Sequence, residues 1–353
     1  MRYAKFIKSG QRIGICAPSA GVGNKLSDFD SALNVLKNQG YKIQETRSVR
    51  ANSDRSTSGK NRAKELDELV CDKNIDMIMC ATGGDYMLEI MPYVNFDNID
   101  KNPKWIMGYS DPTNILYTVT TKLDIATLYG FNASSYGRNS KDEKDNLSII
   151  SGKLVKQSSS KKHISFLKEI NGETKYDTDT KWLCKQDEIT IKGRLIGGCL
   201  DCIDKLIGSE FDYTKQFIER YKDDGIVYYF DIFAMTPLSV YLTLLQMHNA
   251  GYFKYCKGVL IGRIAIPNIE NKKFDYIKAI DKAMGKIPHI MEMDIGHSSP
   301  RMTLINGGLI EVNYSKGKGS IKQKLSWKRF QLSFFIIYDS SFNIIKLAIF
   351  FGR

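Results

Sequence analysis

Ser110 stands where the sequence could place a nucleophile. It lies two residues after the apolar segment 104–108, which predicts a buried strand, and it precedes residues 114–122, which predict a helix. A tight strand-to-helix turn would expose the hydroxyl and direct the backbone N–H of the next residue, Asp111, toward a developing oxyanion. The same serine could instead cap the helix, because serine is a favoured N-cap residue.

A serine nucleophile needs a base, and the chain contains four histidines. His297 has the most suitable surroundings, because it lies in the polar turn 294–301, which is rich in hydrogen-bonding groups. A histidine in a loop can equally be an ordinary surface residue. The other three lie in a polar segment, near a helix end and after a proline: His163, His248 and His289.

Asp231 is the candidate acid. It ends the apolar segment 225–231, which predicts a strand. A carboxylate at a strand end can hold the tautomer of a catalytic histidine and stabilise the imidazolium. It can also cap the helix that follows, so the position alone leaves both roles open.

The elements that would position these residues alternate between apolar strands and amphipathic helices, which predicts an α/β fold with a parallel sheet. Residues 1–138 form the predicted N-terminal domain, which carries the nucleophile. Its strands are predicted near residues 12–19, 41–45, 75–81 and 104–108, and its helices near 26–39, 58–72 and 114–122.

The pattern changes after residue 138. Residues 139–192 are polar and predict a linker with short strands. Residues 193–326 alternate again and predict a C-terminal α/β domain, with a mixed or barrel-like sheet, that carries the acid and the base. Its elements are predicted as helices at 199–207 and 236–250 and strands at 225–231 and 257–264.

The stretch 327–353 is apolar but is interrupted by Asp339, Asn343 and Lys346. A membrane span requires about 20 mostly apolar residues, and a charge at its centre costs about 2.5–3.5 kcal/mol. The pattern therefore favours a packed extension, or a segment foreign to the fold, over a membrane anchor.

The net charge of +12 raises the question of nucleic-acid binding. The lysines are spread along the chain without a basic helix or an RNA-binding aromatic motif, so no nucleic-acid partner is predicted. A basic surface would also suit an anionic small substrate. Hydrophobic residues make up 42% and charged residues 25%, as in soluble globular proteins. The N-terminus shows no signal-peptide pattern, which predicts a cytoplasmic protein.

Seven cysteines at scattered spacing argue against a disulfide framework. Cys199 and Cys202 form a CxxC pair, but a zinc site would need a second pair of ligands, and no histidine lies nearby to supply it. Buried thiols are the favoured interpretation, and neither a metal nor an organic cofactor is predicted.

Several short motifs occur in a fixed order between about residues 5 and 325. They lie at 8–19, 82–84, 108–113, 129–130, 193–198 with Leu200, 258–263, and 296–297 with Pro300 and 306–307. Together they resemble the LD-carboxypeptidase family, which includes muramoyltetrapeptide carboxypeptidases and microcin C immunity peptidases. The stretch after about residue 326 has no counterpart in this pattern.

The resemblance implies a catalytic triad of Ser110, His297 and Asp231. It also implies an oxyanion hole formed by the Gly83–Gly84 turn and the Asp111 amide. The family usually has a glutamate at the third triad position, so Asp231 is one methylene shorter than the pattern.

A homodimer of two-domain subunits, each with its site in the cleft between domains, is implied as well. The implied substrate is a small peptide whose scissile amide joins an L-centre to a C-terminal D-amino acid, typically the D-alanine of a murein tetrapeptide. Arg263 and Arg301 are candidates, by position, to hold the substrate carboxylate. Two alternatives stay open: an immunity peptidase that cleaves a microcin C-like peptide–nucleotide toxin, and an inactive muropeptide-binding homologue.

Overall fold

A computed structural model describes residues 1–268 and 273–326, together with the backbone of two strands near the C-terminus. The α-helices are α1 Leu26–Asn38, α2 Gly59–Cys71, α3 Phe96–Lys101, α4 Thr113–Leu123, α5 Lys141–Ile150, α6 Phe166–Ile170, α7 Leu200–Leu206, α8 Thr214–Arg220, α9 Pro237–Asn249 and α10 Tyr276–Met284. The strands are β1 Arg12–Cys16, β2 Lys42–Glu45, β3 Met77–Cys80, β4 Trp105–Gly108, β5 Thr127–Tyr129, β6 Gln157–Ser158, β7 Lys162–His163, β8 Thr178–Asp179, β9 Glu188–Cys199, β10 Ile226–Asp231, β11 Cys256–Gly262, β12 His289–Met293, β13 Leu304–Asn306, β14 Leu309–Ser315, β15 Lys318–Lys324, β16 Ser333–Asp339 and β17 Ile344–Phe350. Short 3₁₀ helices span Gly23–Lys25, Met87–Tyr93 and Ala133–Ser135.

The first sheet has the strand order β13-β5-β4-β3-β1-β2. Its strands are parallel except for β13. Every residue of β3 and β4 is buried, because helices and loops cover both faces of the sheet. The predicted parallel-sheet α/β fold around the candidate nucleophile Ser110 is confirmed.

The second sheet has the order β12-β11-β10-β9-β14-β15-β6. Strands β9 to β12 are parallel, and β14, β15 and β6 extend the sheet in antiparallel fashion. The sheet is open and mixed, so the mixed alternative is the one observed and the barrel-like alternative is not. Strand β10, which ends on Asp231, is buried along its whole length.

The chain returns to the first sheet near its C-terminal end. Strand β13 pairs antiparallel with β5, with Leu304 opposite Tyr129 and Asn306 opposite Thr127. Because β13 follows the turn that holds His297, this pairing ties the second half of the chain to the nucleophile sheet.

Residues 139–192 are more structured than their polar composition suggested. They contain the short strands β6 to β8 and the five-residue helix α6, and also the ten-residue helix α5. Ser140 caps α5 by accepting a hydrogen bond from the N–H of Glu143, and Ile149 and Ile150 are buried against the first sheet. With only one short apolar cluster at its end, α5 shows little helical periodicity in the sequence.

Strands β16 and β17 pair with each other in antiparallel fashion. The rest of the apolar stretch 327–353 lies outside the described residues. Across the part of the chain that the structure describes, no helix has the length and apolar character needed to cross a bilayer.

Candidate functional site

Ser110 sits on a tight turn between β4 and α4. Its φ of 68° lies in the left-handed region, which a non-glycine residue adopts only when its surroundings enforce it. Thr113 is one of those surroundings, because its hydroxyl donates a 2.6 Å hydrogen bond to the Ser110 carbonyl. The turn also requires Gly108, since a Cβ there would be 2.9 Å from Pro112 Cβ. The sequence prediction of a strand–serine–helix turn is confirmed.

The structure brings the candidate nucleophile, base and acid together. His297 Nε2 lies 2.9 Å from Ser110 Oγ, and His297 Nδ1 lies 2.8 Å from Asp231 Oδ2. The second contact is close but not aligned as a hydrogen bond. Both His297 and Asp231 are buried, so the contact between these two side chains is shielded from bulk water.

Tyr129 connects two of these residues, a role that the sequence had not predicted. Its hydroxyl donates a 2.6 Å hydrogen bond to Asp231 Oδ2 and accepts a 3.2 Å hydrogen bond from the Ser110 amide. The motif at 129–130 had marked the position without indicating a role. Only the pairing of β4 with β5, which sets Tyr129 opposite Gly108, shows it.

Three aromatic rings surround the imidazole of His297. The ring centroids of Tyr109, Phe166 and Phe233 lie 5.3, 5.4 and 4.6 Å from that of His297. These rings limit the approach of water to the base and fix its plane by packing. Phe166 belongs to α6, so the polar segment 139–192 contributes directly to the site.

The predicted oxyanion donors lie beside the nucleophile. Gly83 packs against Ser110, since a Cβ at residue 83 would be 3.2 Å from Ser110 Cβ. Gly84 has a φ of 145°, which favours glycine, and a Cβ there would be 2.3 Å from Ser19 Oγ. Among the described residues, the backbone N–H groups of Gly83, Gly84 and Asp111 have no hydrogen-bond acceptor. These groups are therefore free to meet an oxyanion.

The carboxylate of Asp111 is bonded to two residues that lie near the glycine turn 82–84. It accepts hydrogen bonds from the Ser19 hydroxyl and from the Met87 amide, the latter at 2.7 Å. Burial raises the pKa of Asp111 to about 6, although both hydrogen bonds favour the charged form. Asp111 thus bonds the turn that holds Ser110 to Ser19, which lies against Gly84, and to Met87, three residues after Gly84.

An open cleft of about 820 Å³ leads to Ser110 and His297. The cleft is lined by residues from loops that connect the strands of both sheets. It is also lined by the CxxC pair, Cys199 and Cys202, whose thiols are free. In the described residues, no three side chains of the types that ligate metals are grouped together. The cleft is also lined by Asn24, Lys25, Asp85, Leu88, Asn114, Asn132, Asp201 and Lys205.

Neither of the two arginines proposed for the substrate carboxylate lines this cleft. Arg263 is buried, pairs with Asp294 at 3.0 Å and donates to two backbone carbonyls. Arg301 lies over the ring of Tyr109, 4.9 Å from its centroid, and bonds Glu169 at 3.0 Å. Arg301 lines an adjacent cavity of about 600 Å³.

Comparison with known proteins identifies the family. The model of the LD-carboxypeptidase N-terminal domain matches residues 13–130, and that of the C-terminal domain matches residues 192–312. The chain belongs to the LD-carboxypeptidase family. The family resemblance carried by the ordered motifs is therefore confirmed.

Two curated relatives of this chain are both named putative carboxypeptidases. The protein named "putative carboxypeptidase YocD" of Bacillus subtilis is 24% identical over 339 residues, which cover 90% of this chain and 98% of YocD. A Vibrio cholerae protein of the same description is 35% identical over 133 residues, or 37% of this chain. That match spans only 40% of the Vibrio protein. These names support a carboxypeptidase.

Solved structures of LD-carboxypeptidase relatives share the fold. Wild-type microcin C7 self-immunity protein MccF without ligand superposes with a TM-score of 0.79 at 22% identity, covering 93% of this chain and all of that one. A muramoyltetrapeptide carboxypeptidase from Oxalobacter formigenes gives 0.69 at 18% identity, with coverage of 89% and 98%. At these identities the superpositions show a common architecture of two sheets.

Proposed function

We propose that this LD-carboxypeptidase is a serine peptidase that removes a C-terminal D-amino acid from a small peptide through Ser110, His297 and Asp231. The observation that carries the proposal is the 2.9 Å contact between His297 Nε2 and the hydroxyl of Ser110 on its strained turn. This is the distance that a general base requires from the oxygen whose proton it removes.

In the first half of the reaction, Ser110 Oγ attacks the scissile carbonyl and its proton passes to His297 Nε2. The carbonyl oxygen becomes an oxyanion, which the amides of Gly83, Gly84 and Asp111 stabilise in this proposal. Asp231, 2.8 Å from His297 Nδ1, favours the imidazolium that forms. When the tetrahedral intermediate collapses, the imidazolium protonates the leaving amine and the D-amino acid departs.

In the second half, a water molecule attacks the acyl-enzyme ester at Ser110. His297 accepts a proton from that water and returns it to Ser110 Oγ when the ester breaks, which releases the shortened peptide and restores the starting state. Neither half of this cycle requires a metal or an organic cofactor.

A murein tetrapeptide that ends in D-alanine is the substrate we propose. It is the substrate class that the family motifs implied, and one structural relative is named a muramoyltetrapeptide carboxypeptidase. The cleft, at about 820 Å³, lies within the usual range for small-molecule sites, and its openness to solvent suits part of a longer peptide.

A peptide–nucleotide substrate is the second candidate. MccF, which shares the fold, has been solved in complex with aspartyl sulfamoyl adenosine. In the present chain, Phe166 and Phe233 line the cleft next to His297, and aromatic rings of this kind can stack on a base. These two rings are the specific observation that favours the second candidate.

Release of D-alanine from L-Ala-D-Glu-diaminopimelate-D-Ala, followed by mass spectrometry, tests the proposal. Aspartyl sulfamoyl adenosine serves as the second substrate, and Ser110→Ala serves as the control for both. We expect D-alanine release by the wild type and a loss of at least about 10³-fold in Ser110→Ala. Cleavage of the sulfamoyl adenosine alone would support the second candidate. Binding of the tetrapeptide without cleavage of either substrate would contradict both candidates and support an inactive muropeptide-binding protein.

Three further expectations from the sequence stay predictions: the homodimer, the cytoplasmic location and an arginine that holds the substrate carboxylate. Light scattering on the purified protein tests the homodimer, and fractionation of cells tests the cytoplasmic location. Of the two arginines, Arg301 is the one we propose to meet an anionic substrate group, because Tyr109 and Phe166 line both its cavity and the cleft.

A further inference from the structure

Tyr129 is bonded at once to the backbone of Ser110 and to the side chain of Asp231. We propose that Tyr129 is a positioning residue that holds the acid and the nucleophile turn in a fixed relation, so that His297 is oriented between them. This inference rests on the proposed function of Ser110, His297 and Asp231.

The direction of the two hydrogen bonds follows from the available protons. The Ser110 amide can only donate, so the Tyr129 oxygen accepts there at 3.2 Å. The single phenolic proton is then directed to Asp231 Oδ2 at 2.6 Å. Burial, followed by the charge of Asp231, raises the pKa of Tyr129 well above its ordinary value, so the phenol keeps this proton at neutral pH.

The bond to Asp231 matters because the aspartate has few other partners. Oδ2 receives the Tyr129 hydroxyl and faces His297 Nδ1, whereas Oδ1 makes no hydrogen bond to any described side chain or backbone group. Since the Nδ1 contact is not aligned, the Tyr129 hydroxyl is the aligned hydrogen bond that fixes the rotation of the carboxylate. A short acid held in this way can face the imidazole without the extra methylene of a glutamate.

The bond to Ser110 acts on the nucleophile turn. It gives a partner to the amide of a residue held at a φ of 68° and so stabilises the strained conformation. It also occupies that amide, which leaves the oxyanion to the amides of Asp111 and the glycine turn. Because of Tyr129, the Ser110 amide supports the turn, and the amides of Asp111 and the glycine turn are the ones that meet the substrate.

The sheet fixes the position of the Tyr129 hydroxyl. Residue 129 lies in β5 between β4 and β13, paired with Gly108 on one side and Leu304 on the other. Its side chain is almost fully buried, and its ring packs 5.5 Å from that of Tyr229. Because the ring is held on these sides, removing the hydroxyl leaves the surrounding packing largely unchanged.

The substitution Tyr129→Phe tests the inference. We expect kcat for the tetrapeptide to fall about 10- to 100-fold, because an aligned hydrogen bond to a charged group is lost. KM should stay within about twofold, because Tyr129 does not line the cleft. Labelling of Ser110 by a fluorophosphonate, which reports activation of the serine without any peptide substrate, should slow by a similar factor.

Tyr136→Phe is the matched control. It removes another buried phenolic hydroxyl with a 2.6 Å hydrogen bond, to Asn146, outside the site. Its unfolding midpoint should resemble that of Tyr129→Phe, while its labelling rate stays that of the wild type. In an Asp231→Ala background, Tyr129→Phe should have a smaller effect on labelling than in the wild type, because the carboxylate it positions is absent.

Equal labelling rates for Tyr129→Phe and the wild type would overturn the inference. So would an effect of the same size in the Asp231→Ala background, because the hydroxyl would then act independently of the acid. Failure of the proposed function looks different, since Ser110 would then not be labelled in any variant.

Discussion

Gly296 lies directly against the carboxylate of Asp231. A Cβ at residue 296 would be 1.9 Å from Asp231 Oδ1 and 2.2 Å from Cγ, and the φ of Gly296 is 93°. The residue before the proposed base therefore has to be a glycine for two reasons, the backbone conformation and the proximity of the acid. The motif at 296–297 thus reflects the packing of the acid as well as the position of the base.

Gly296→Ala should inactivate the enzyme by displacing Asp231. We expect kcat to fall at least about 10²-fold, because a displacement of about 1 Å in a catalytic group has that effect. Gly251→Ala is the control, since Gly251 has a φ of 78° but a Cβ added there would have no heavy atom within 4 Å. Both variants place an alanine at a positive φ, so they share the backbone strain and differ in the contact with Asp231. Equal unfolding midpoints together with equal kcat values would show that the contact between residue 296 and Asp231 does not affect catalysis.

Asp231→Asn should separate the charge of the acid from its size. The amide is nearly isosteric with the carboxylate but cannot stabilise an imidazolium and favours the wrong tautomer of His297, so we expect kcat to fall about 10⁴-fold. Stopped or continuous assays of D-alanine release over a range of substrate concentrations measure the change. A kcat within about tenfold of the wild type would show that His297 acts without the acid.

Asp111 should make folding stability depend on pH. Burial raises its pKa from 3.8 to about 6, so the folded protein retains a proton that the unfolded chain releases between these values. Its contribution to stability is fully present below pH 3.8 and is lost as the pH rises through about 6. From pH 4 to pH 7, Asp111→Asn should gain up to about 3 kcal/mol in free energy of unfolding relative to the wild type.

Urea denaturation of the wild type and of Asp111→Asn at both pH values measures this change. Groups common to both proteins cancel in the comparison, so the difference isolates residue 111. A difference in unfolding free energy that stays constant between pH 4 and pH 7 would show that the carboxyl titrates normally in the folded state.

Arg263 should support the fold and not the substrate. Its guanidinium is buried with Asp294, so Arg263→Met leaves that buried carboxylate without its cation, bonded still to Ser160 and Trp182, and should cost about 3–5 kcal/mol in free energy of unfolding. KM should be unchanged, because Arg263 does not line the cleft. Arg50→Met, which breaks exposed pairs with Glu45 and Asp30, is the control and should cost about 2 kcal/mol or less. A raised KM in Arg263→Met with normal stability would assign the residue to substrate binding.

The sequence predicted four of the six strands of the first sheet, β1 to β4, but only β10 and β11 of the seven strands of the second sheet, because these segments have a clear apolar pattern. The helices predicted at 26–39 and 58–72 are α1 and α2, with ends that differ by one residue. The strand predicted at 225–231 is β10, which begins one residue later. Helix α5 was missed, because its apolar residues are confined to one end.

The candidate triad could be named from the sequence because the ordered motifs resemble the LD-carboxypeptidase family, whereas the local pattern at each of the three residues left a structural role open. Their catalytic roles stay predictions, although the structure sets Ser110, Asp231 and His297 in contact. The role of Tyr129 and the packing of Gly296 against the acid could not be predicted, because both depend on strand pairing between distant segments. The burial of Arg263 depends on the same kind of long-range contact.

The return of β13 to the first sheet has a consequence for the order in which the enzyme is made. Ser110 emerges from the ribosome early, but His297 follows almost two hundred residues later, and β13 pairs with β5 only after that. A nascent or truncated chain that ends before residue 304 therefore has an incomplete sheet beside its nucleophile. Reactivity of Ser110 would then appear only after both halves of the chain have been translated. Incomplete chains would therefore have no peptidase activity.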